Sequence, residues 1–487
     1  MFFPLRHILT LLCFILIIGC VPSGHDIKKS YNQASKNLSQ TMHSMEDKIL
    51  KKLTQAQTAI NLRGNQYKPE KSENIVTLLS TLKDDTQKDI YDEGASFQNI
   101  LANVISLHPE VQAAQYLEQA AEQEVVASAG LNKPQITGSL NTGGVNKNIS
   151  SSTITPGIGL SAGISQVIYD GGYTAAGIGQ KAALFEKAKA NNALVKNKIG
   201  FNAASAWIDL WTLNEKLKEI NSTIQNANPI LADIKRMAES GLIDRTIVDN
   251  IENNLLNISI NKHKLETDIE LAELYFENFY GKVPHIIVKP KSPFELKIFE
   301  TKMEDKSLIP SLRLAAAELI ASREEVKAIR GELKPKVKFN LAANSPLDRD
   351  DNATLAVGIM STYVFSDGGT LKARLKVAQA RSSKMSFVLK SAKIETMKSI
   401  KSDIMSLNFL EQSRSLNEES LDRNTQSLSI LKAQILTGQS KLNNLIDMHI
   451  ERIGIINNLL DNTAQNEKIK YSLASILGIF SGLKESK

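Results

Sequence analysis

The chain carries the same set of proline and glycine landmarks twice, at a nearly constant spacing. The pairs 201 residues apart are Pro109 and Pro310, Gly130 and Gly331, and Pro134 and Pro335. The pairs 197 residues apart are Asp170-Gly171-Gly172 and Asp367-Gly368-Gly369, Gly241 and Gly438, and Gly281 and Gly478. The spacing changes once, between Pro134 and Asp170, so one loop is shorter in the second copy. A duplication of this length predicts two similar structural units related by pseudo-symmetry.

Four short segments between the paired landmarks alternate apolar with small or polar residues at a period of two. They cover residues 135–141, 158–165, 336–344 and 354–360, and the apolar parity of the last continues at Tyr363 and Phe365. Each segment is predicted to be a strand with one apolar and one mostly polar face. This pattern is typical of outer-membrane barrels, with lipid outside and water inside. A half-buried soluble sheet, whose apolar face covers a core, is the alternative.

Four strands cannot close a barrel by themselves. An open sheet edge in hydrocarbon would leave backbone N–H and C=O groups without hydrogen-bond partners. If the four segments lie in a membrane, several copies of the chain must therefore join edge to edge. The membrane hypothesis thus requires a homo-oligomer.

Long helices are predicted for most of the remaining chain. Proline is absent from residues 157–228, 230–283 and 347–487, and these stretches have helical spacing and much alanine. The pattern is continuous from Gly369 to Thr437, which corresponds to about 100 Å of helix. Coiled assemblies use rods of this length, whereas a compact domain does not.

Two glycines interrupt the helical stretches at equivalent positions. We expect helix-turn-helix tips at Gly241 and Gly438, since glycine commonly ends a helix. Shorter helices at 97–130 and 311–331 lead into the first strand of each copy. The predicted order in each copy is therefore helix, strand, strand, long helix, turn, helix.

The N-terminus has the features of a signal peptide. A positively charged start precedes an apolar run at 8–18, which is too short to span a bilayer and typical of a signal peptide. The segment Ile17-Ile18-Gly19-Cys20 resembles the lipobox of bacterial lipoproteins, which implies removal of residues 1–19 and acylation of Cys20. Val21 in place of an aspartate favours the outer membrane in that family. An ordinary secretory signal with an incidental cysteine is the alternative.

The charge and cysteine content exclude several classes of protein. The net charge of +6 arises from 58 basic and 52 acidic residues that are well mixed, without the basic and aromatic clusters of a nucleic-acid surface. The chain has two cysteines, Cys13 and Cys20, and loss of the signal would leave only Cys20. A disulfide framework and a cysteine zinc site are therefore excluded.

No catalytic motif is present in the sequence. The seven histidines are scattered, without the spacing of paired metal ligands. The segment Gly177-Ile178-Gly179 lacks the third glycine of a dinucleotide site, and there is no Walker loop or Gly-x-Ser-x-Gly turn. These observations predict a protein that is not an enzyme and uses no cofactor or metal.

The landmark motifs also carry a family resemblance. His108-Pro109-Glu110-Val111 is followed by an alanine-rich helix and Lys133-Pro134-Gln135, and Ser165 to Gly172 ends a predicted strand. Thr362 to Gly369 is a second copy of that strand end. The order, spacing and duplication of these motifs resemble the TolC family of outer-membrane channel proteins. The resemblance extends over residues 97–480.

This resemblance implies a mainly α, mixed α and β fold that assembles as a homotrimer. Each protomer would contribute four strands to a shared transmembrane β-barrel and its long helices to a periplasmic helical barrel. The trimer would be the exit duct of a tripartite export system, with a periplasmic adaptor protein and an inner-membrane transporter as partners. Asp-Gly-Gly at both strand ends is similar to the type I secretion branch, whereas the lipobox is similar to the drug-efflux branch. A non-pore periplasmic coiled-coil lipoprotein is the alternative.

The resemblance further implies an acidic constriction near the helical tips, because rings of carboxylates select cations. Asp249 and Glu252 follow the first tip glycine, and Asn444 and Asp447 follow the second. The family usually has aspartates at the positions of Asn444 and Asp447, so Asn444 departs from its pattern. Solvated helix side chains without a pore role are the alternative.

The repeats set the expected domain boundaries. The segments are the signal peptide 1–19, a polar tether or helical collar at 20–95, the first repeat at 96–283, a proline-rich connector at 284–309, the second repeat at 310–480 and a polar tail at 481–487. The Asp-Gly-Gly triplets would form the turns between a strand and a long helix. The mature protein would be both lipid-anchored and integral to the outer membrane.

Overall fold

The computed structural model describes residues 40, 96–145, 155–289, 292, 305–345, 352–436 and 443–483. The predicted signal peptide 1–19, Cys20 and the tip glycine Gly438 lie outside these residues. All of 21–95 except Gln40, and the tail beyond Leu483, lie outside them as well. The expectations for these parts of the chain stay predictions.

The same order of helices and strands appears in both copies. The first copy contains α1 (Phe97–Leu107), α2 (Pro109–Gly130), β1 (Gln135–Val145), β2 (Thr155–Tyr169), α3 (Tyr173–Glu239) and α4 (Arg245–Tyr280). The second contains α5 (Pro310–Glu332), β3 (Lys336–Asn344), β4 (Thr354–Thr362), α6 (Thr370–Leu436) and α7 (Asn443–Ile476), with short 3₁₀ turns at Lys306–Leu308 and Phe480–Gly482. The mainly helical fold with a small sheet agrees with the predicted fold class.

The leading helix of the first copy is divided, so the prediction of one helix over 97–130 is wrong in this respect. α1 ends before His108, whose φ of −65° and ψ of 131° are extended, and α2 begins at Pro109. A proline disfavours helical backbone at the residue before it. It suits the first helical position, where the N–H has no partner within the helix. Pro310 begins α5 in the same way.

The chain divides into two compact units that do not coincide with the repeats. One unit contains Ala127–Ala175 and Lys327–Ala373, and therefore both strand hairpins. The other contains Leu79–Val126, Ala176–Val326 and Arg374–Lys487, and therefore most of the helical residues. The long helices α3 and α6 each have 67 residues, which corresponds to about 100 Å per helix.

The four strands form one antiparallel sheet in the order β1-β2-β3-β4. Gln135 pairs with Ser165 in the first hairpin. The residues at the repeat offsets of 201 and 197, Lys336 and Thr362, pair with each other in the second hairpin. The duplication seen in the sequence is therefore preserved in the strand register.

The last strand is shorter than its sequence pattern suggests. β4 ends at Thr362, so Tyr363 and Phe365, which continue the apolar parity, lie beyond it. β4 pairs only with β3 among the described residues, and β3 begins at Lys336, the partner of Thr362. The described residues contain no strand that could pair with the residues after Thr362, and this limits β4.

The recurring glycines are explained by backbone geometry. Every described glycine with a positive φ is one of the sequence landmarks, and these are Gly171, Gly172, Gly241, Gly281, Gly368, Gly369 and Gly478. Other residues rarely adopt this left-handed conformation because their Cβ atom meets the backbone. At Gly241 it forms a Schellman cap at the end of α3, in which Leu242 N donates to Met237 O at 2.9 Å and Gly241 N donates to Ala238 O at 3.0 Å.

The helical unit packs around a core of apolar side chains from both repeats. Its fully buried members include Leu101 and Val104 of α1, Ala203 and Ile208 of α3, Phe276 and Tyr280 of α4, and Tyr471 and Leu473 of α7. The indole Nε1 of buried Trp207 donates to Val288 O at 2.9 Å, and the Tyr280 hydroxyl donates to Ala203 O at 2.9 Å. These bonds satisfy polar atoms of aromatic side chains that are otherwise enclosed by apolar groups.

Replacement of Gly331 by alanine tests the close approach between the end of α5 and the start of α3. A Cβ at Gly331 would lie 2.8 Å from Tyr173 N, so the backbone must shift. We expect Gly331→Ala to destabilise the fold by about 1–3 kcal/mol, the usual range for overpacking. Thermal unfolding followed by circular dichroism measures the change.

Gly454→Ala is the matched control, because Gly454 lies within α7 and has no described atom within 4 Å of its Cβ position. Alanine is favoured over glycine in a helix by about 0.5–1 kcal/mol, so this variant should unfold at the same or a higher temperature. Equal unfolding temperatures for the two variants would contradict the close contact at Gly331.

Candidate functional site

The strand register gives the sheet two chemically different faces. One row across the four strands consists of Ile136, Ile164, Leu341 and Val357. The adjacent row, on the opposite face, consists of Gln135, Ser165, Asn340 and Gly358. Successive residues of a strand point to opposite faces, so the apolar side chains share one face and the small polar groups share the other. This confirms the predicted two-faced strands.

The apolar face of the sheet is exposed. The side chains of Ile136, Val357 and Ile359 are 65%, 62% and 70% exposed. A sheet that covers a core would bury such side chains, which favours the membrane alternative over the half-buried soluble sheet. Exposed apolar surface of this kind marks a contact with lipid or with another protein.

Both edges of the sheet are open in the described part of the chain. β1 pairs only with β2, and β4 pairs only with β3. Their outer backbone N–H and C=O groups therefore lack strand partners, a configuration that favours pairing with another chain. A sheet with two different faces and two open edges has the features of one part of a larger closed sheet.

The Asp-Gly-Gly triplets form the predicted turns between a strand and a long helix. Asp170 accepts hydrogen bonds from Gly172 N at 3.0 Å and Thr174 N at 2.8 Å. Asp367 accepts equivalent bonds from Gly369 N at 2.9 Å and Leu371 N at 2.6 Å. Each aspartate thus caps the first N–H groups of the helix that follows.

The two capping aspartates have lowered pKa values. Burial raises the pKa of Asp170, but hydrogen bonds from Thr174, Gly172 and Tyr173 outweigh it and hold the pKa below its ordinary value. The hydrogen bond from the Leu371 N–H is the largest cause that lowers the pKa of Asp367. Both carboxylates are therefore ionised over the physiological pH range.

The tip that follows α3 is held by a small apolar cluster, which we call the tip cluster. Its buried members are Ala227, Ile234, Val248, Ile251 and Ile446. Asp244 caps α4 by accepting from Thr246 N at 2.9 Å, and the hydrogen bonds from Thr246 lower its pKa. Because Ile446 lies on α7, the start of α7 packs beside the turn between α3 and α4. The cluster thus brings the candidate constriction residues of both copies into one region.

The candidate constriction residues differ in what they contact. Asp249, Asn444 and Asp447 are exposed. Glu252 forms an ion pair with Lys235, with Nζ 2.6 Å from Oε1. Within the described part of the chain, Asp249 and Asp447 have no such cationic partner, so two of the four candidates carry an unpaired carboxylate.

Sequence reasoning missed the role of Lys235. Lys235 lies near the end of α3 and Glu252 lies near the start of α4, and antiparallel helices bring residues of these two segments together. The predicted helix-turn-helix tip could therefore have indicated that Lys235 and Glu252 form an ion pair. Its consequence is that Glu252 is compensated and contributes little net charge to the tip.

Two further observations bear on the class of protein. No helix in the described ranges has a stretch long and apolar enough to cross a bilayer. No group of three or more histidine, cysteine, aspartate or glutamate side chains in the same ranges is placed to hold a metal ion.

The second repeat matches a known protein family, and most of the chain matches solved structures. Residues 307–478 match the family model described as outer membrane efflux protein. A structure of CusC, described with transmembrane channel formation, has 14% identity and a TM-score of 0.68 over 78% of this chain and 91% of that chain. The outer membrane protein VceC of Vibrio cholerae has 14% identity and a TM-score of 0.68 over 78% and 96%.

The open state of the MtrE outer membrane channel of Neisseria gonorrhoeae is also similar. It has 14% identity and a TM-score of 0.68 over 80% of this chain and 90% of that chain. Because each of these structures is only 14% identical to this chain, the similarity shows the fold of the chain alone. A comparison with curated protein sequences finds no match.

Removal of either capping aspartate tests the strand-to-helix turns. We expect Asp170→Ala and Asp367→Ala each to lose about 1 kcal/mol of stability, because the helix loses its N-cap. The folded-state pKa lies below the unfolded value of 3.8. The contribution is therefore complete above that value and is lost as the pH falls through the folded-state pKa. Thermal unfolding measured at a series of pH values from neutral to strongly acidic tests both the lost stability of the variants and its dependence on pH.

Asparagine variants at the same positions serve as controls, because an amide oxygen still accepts one of the two hydrogen bonds. Asp170→Asn and Asp367→Asn should retain part of the stability without the acid-dependent loss. An alanine variant as stable as the original chain at neutral pH would contradict the capping role.

Proposed function

We propose that the chain is a member of the TolC family of outer membrane efflux proteins and forms the outer-membrane exit duct of a tripartite export system. The match of residues 307–478 to the efflux family model and the similar fold of CusC support this proposal. Three copies assemble as a homotrimer. An inner-membrane transporter delivers the cargo, and a periplasmic adaptor protein connects the transporter to the duct. The single observation that carries the proposal is the two-faced sheet with two open edges.

The sheet supports the barrel part of the proposal. A four-stranded open sheet with an exposed apolar face leaves edge groups unpaired, and hydrocarbon does not tolerate this. Pairing of β4 of one copy with β1 of the next satisfies both edges. Three protomers of four strands each give a closed twelve-stranded barrel, with the apolar row on the lipid side.

The two Asp-Gly-Gly turns support the same ring. A Cβ at Gly171 would lie 2.7 Å from Gly331 O, whereas a Cβ at Gly368 would have no described atom within 4 Å. The Cβ position of Gly130, the equivalent of Gly331, is also open. In a closed ring, the open turn of one copy meets the open helix end of the next copy, as the first turn meets Gly331 within the chain.

The cargo remains one of two classes, proteins of type I secretion or small toxic compounds. The match of residues 307–478 to a family model named for efflux favours small compounds. Proteomics of the culture medium after deletion of the gene separates the classes: missing secreted proteins indicate secretion, and drug sensitivity alone indicates efflux.

Conductance of the purified protein in planar lipid bilayers tests the duct. We expect discrete current steps, because a closed barrel with a polar interior conducts ions. Silence across repeated insertions would instead favour the alternative, a non-pore periplasmic coiled-coil lipoprotein.

Cation preference under a salt gradient should fall in the Asp249→Asn and Asp447→Asn double variant, since carboxylate rings attract cations.

The Lys235→Gln and Glu252→Gln double variant is the matched control for this selectivity. It removes the 2.6 Å ion pair of the same tip and leaves the net charge unchanged. Its cation preference should equal that of the original protein. An unchanged preference in the aspartate double variant would remove both residues from the constriction.

The lipid anchor is a separate proposal that rests on the lipobox at Cys20. Cys20→Ala should abolish labelling by radioactive palmitate, because the acylated thiol is lost. The variant should remain a membrane-bound trimer, since the strands themselves enter the bilayer. Recovery of this variant as a water-soluble monomer would contradict the embedded strands, and persistent labelling would contradict acylation at Cys20.

A further inference from the structure

The four strands carry charged side chains at only two positions, and both are lysines of β3. β1, β2 and β4 contain no lysine, arginine, aspartate or glutamate. β3 contains Lys336 and Lys338 and no acidic residue. No carboxylate of a neighbouring strand can therefore neutralise either lysine.

Both lysines lie on the polar face of the sheet. They alternate along β3 with Val337 and Phe339, and successive side chains of a strand point to opposite faces. They therefore share the face of Asn340, the polar residue that follows them at the same parity. In the proposed barrel this face lines the water-filled interior, so the two ammonium groups belong to the wall of the duct and not to its lipid surface.

Lys338 is open to a ligand from the interior. Its strand partners are Val167 of β2 and Met360 of β4, and neither carries a charge. The side chain of Lys338 is exposed. It takes part in no ion pair within the described part of the chain, so its ammonium is available to an anion.

Lys336 is held near the start of α3 without being neutralised. Its Nζ lies 4.8 Å from the centroid of the Tyr173 ring, and Tyr173 is the first residue of α3. An aromatic ring attracts a cation through its electron-rich face but supplies no negative charge. Lys334 lies at the same end of the sheet, where its Nζ donates to Gly171 O at 3.4 Å. This end of the sheet therefore carries additional positive charge.

The two aspartates at the same end of the sheet are directed elsewhere. Asp170 and Asp367 accept hydrogen bonds from the first backbone N–H groups of α3 and α6. A helix N-terminus carries partial positive charge and offsets such carboxylates. The lysines of β3 are thus not the ionic partners of these aspartates.

The internal repeat shows that the strand does not need the two lysines. The residues 201 positions before Lys336 and Lys338 are Gln135 and Thr137, which occupy the equivalent register of the first hairpin. The same strand geometry therefore forms with uncharged side chains at both positions. The positive charge is a property of the second copy alone, which indicates a role other than folding.

We propose that Lys336 and Lys338 from three copies of the chain form a cationic collar inside the duct, at the end of the sheet where β2 leads into α3, and that this collar binds anions. The inference rests on the proposed homotrimeric duct and adds to it a charge class of cargo, namely compounds with phosphate, sulfate or several carboxylate groups. The two lysines of each copy are about 7 Å apart along the wall. A channel wall that carries one sign of charge and is backed by lipid of low dielectric constant concentrates counter-ions.

Block of the channel current by inositol hexakisphosphate, a multivalent anion, tests the collar. The protein is inserted into planar bilayers of zwitterionic phosphatidylcholine at low ionic strength, where screening is weak, and the anion is added to both sides. We expect the anion to reduce the current of the original protein. The double variant Lys336→Gln and Lys338→Thr, which takes the residues of the first copy, should raise the half-blocking concentration on the order of tenfold or more, because the counter-ion attraction is lost.

The double variant Lys336→Arg and Lys338→Arg is the matched control, because it changes both side chains and keeps both charges. Its half-blocking concentration should stay within about twofold of the original, since the charge that concentrates the anion is retained. Circular dichroism and the size of the detergent-solubilised protein check that both variants fold and assemble alike.

The outcomes separate the collar from the duct. A channel that conducts but is not blocked by the anion would overturn the collar. Equal half-blocking concentrations for the original and the Gln and Thr variant would overturn it as well, and so would an arginine variant that has lost the block. An original protein that gives no current steps would instead overturn the proposed duct itself.

Discussion

The need of backbone groups for hydrogen-bond partners governs how this chain is organised. A sheet of four strands with one apolar face does not satisfy its two outer edges within the described part of the chain. Association with copies of itself would satisfy them in the proposed duct, and the apolar row would then face lipid while the polar row faces the interior. The open turn at Gly368 and the exposed apolar side chains of α4 and α6 are further surfaces that the described part of the chain leaves uncovered.

The duplication supplies nearly equivalent parts, and the departures from equivalence carry the specificity. Positive-φ glycines recur because no other residue type fits those turns and caps. The side chains between them have diverged freely, as Asp209 and Ser406 illustrate. Asp209 pairs with Lys468 of α7, whereas its equivalent, Ser406, carries no charge.

Much of the fold was predictable, because strands with alternating apolar residues and turns with glycine in the left-handed conformation have recognisable sequence patterns. The hairpins, the long helices and the Asp-Gly-Gly turns belong to this class. The division at His108 and the early end of β4 were not predicted, since the first depends on a local proline effect and the second on the absence of a pairing strand. At the tip, position relative to Gly241 indicated Asp249, but only the structure revealed that Lys235 compensates Glu252.

The ion pairs between α3 and α7 have a consequence for the effect of ionic strength. Asp209 and Asp461 are about half exposed, so dissolved salt weakens their attraction to Lys468 and Lys216. Apolar contacts are not screened and are strengthened by excluded salts such as sulfate. A rise in ionic strength is therefore expected to weaken the ion-paired contact between α3 and α7 more than the apolar core of the helical unit.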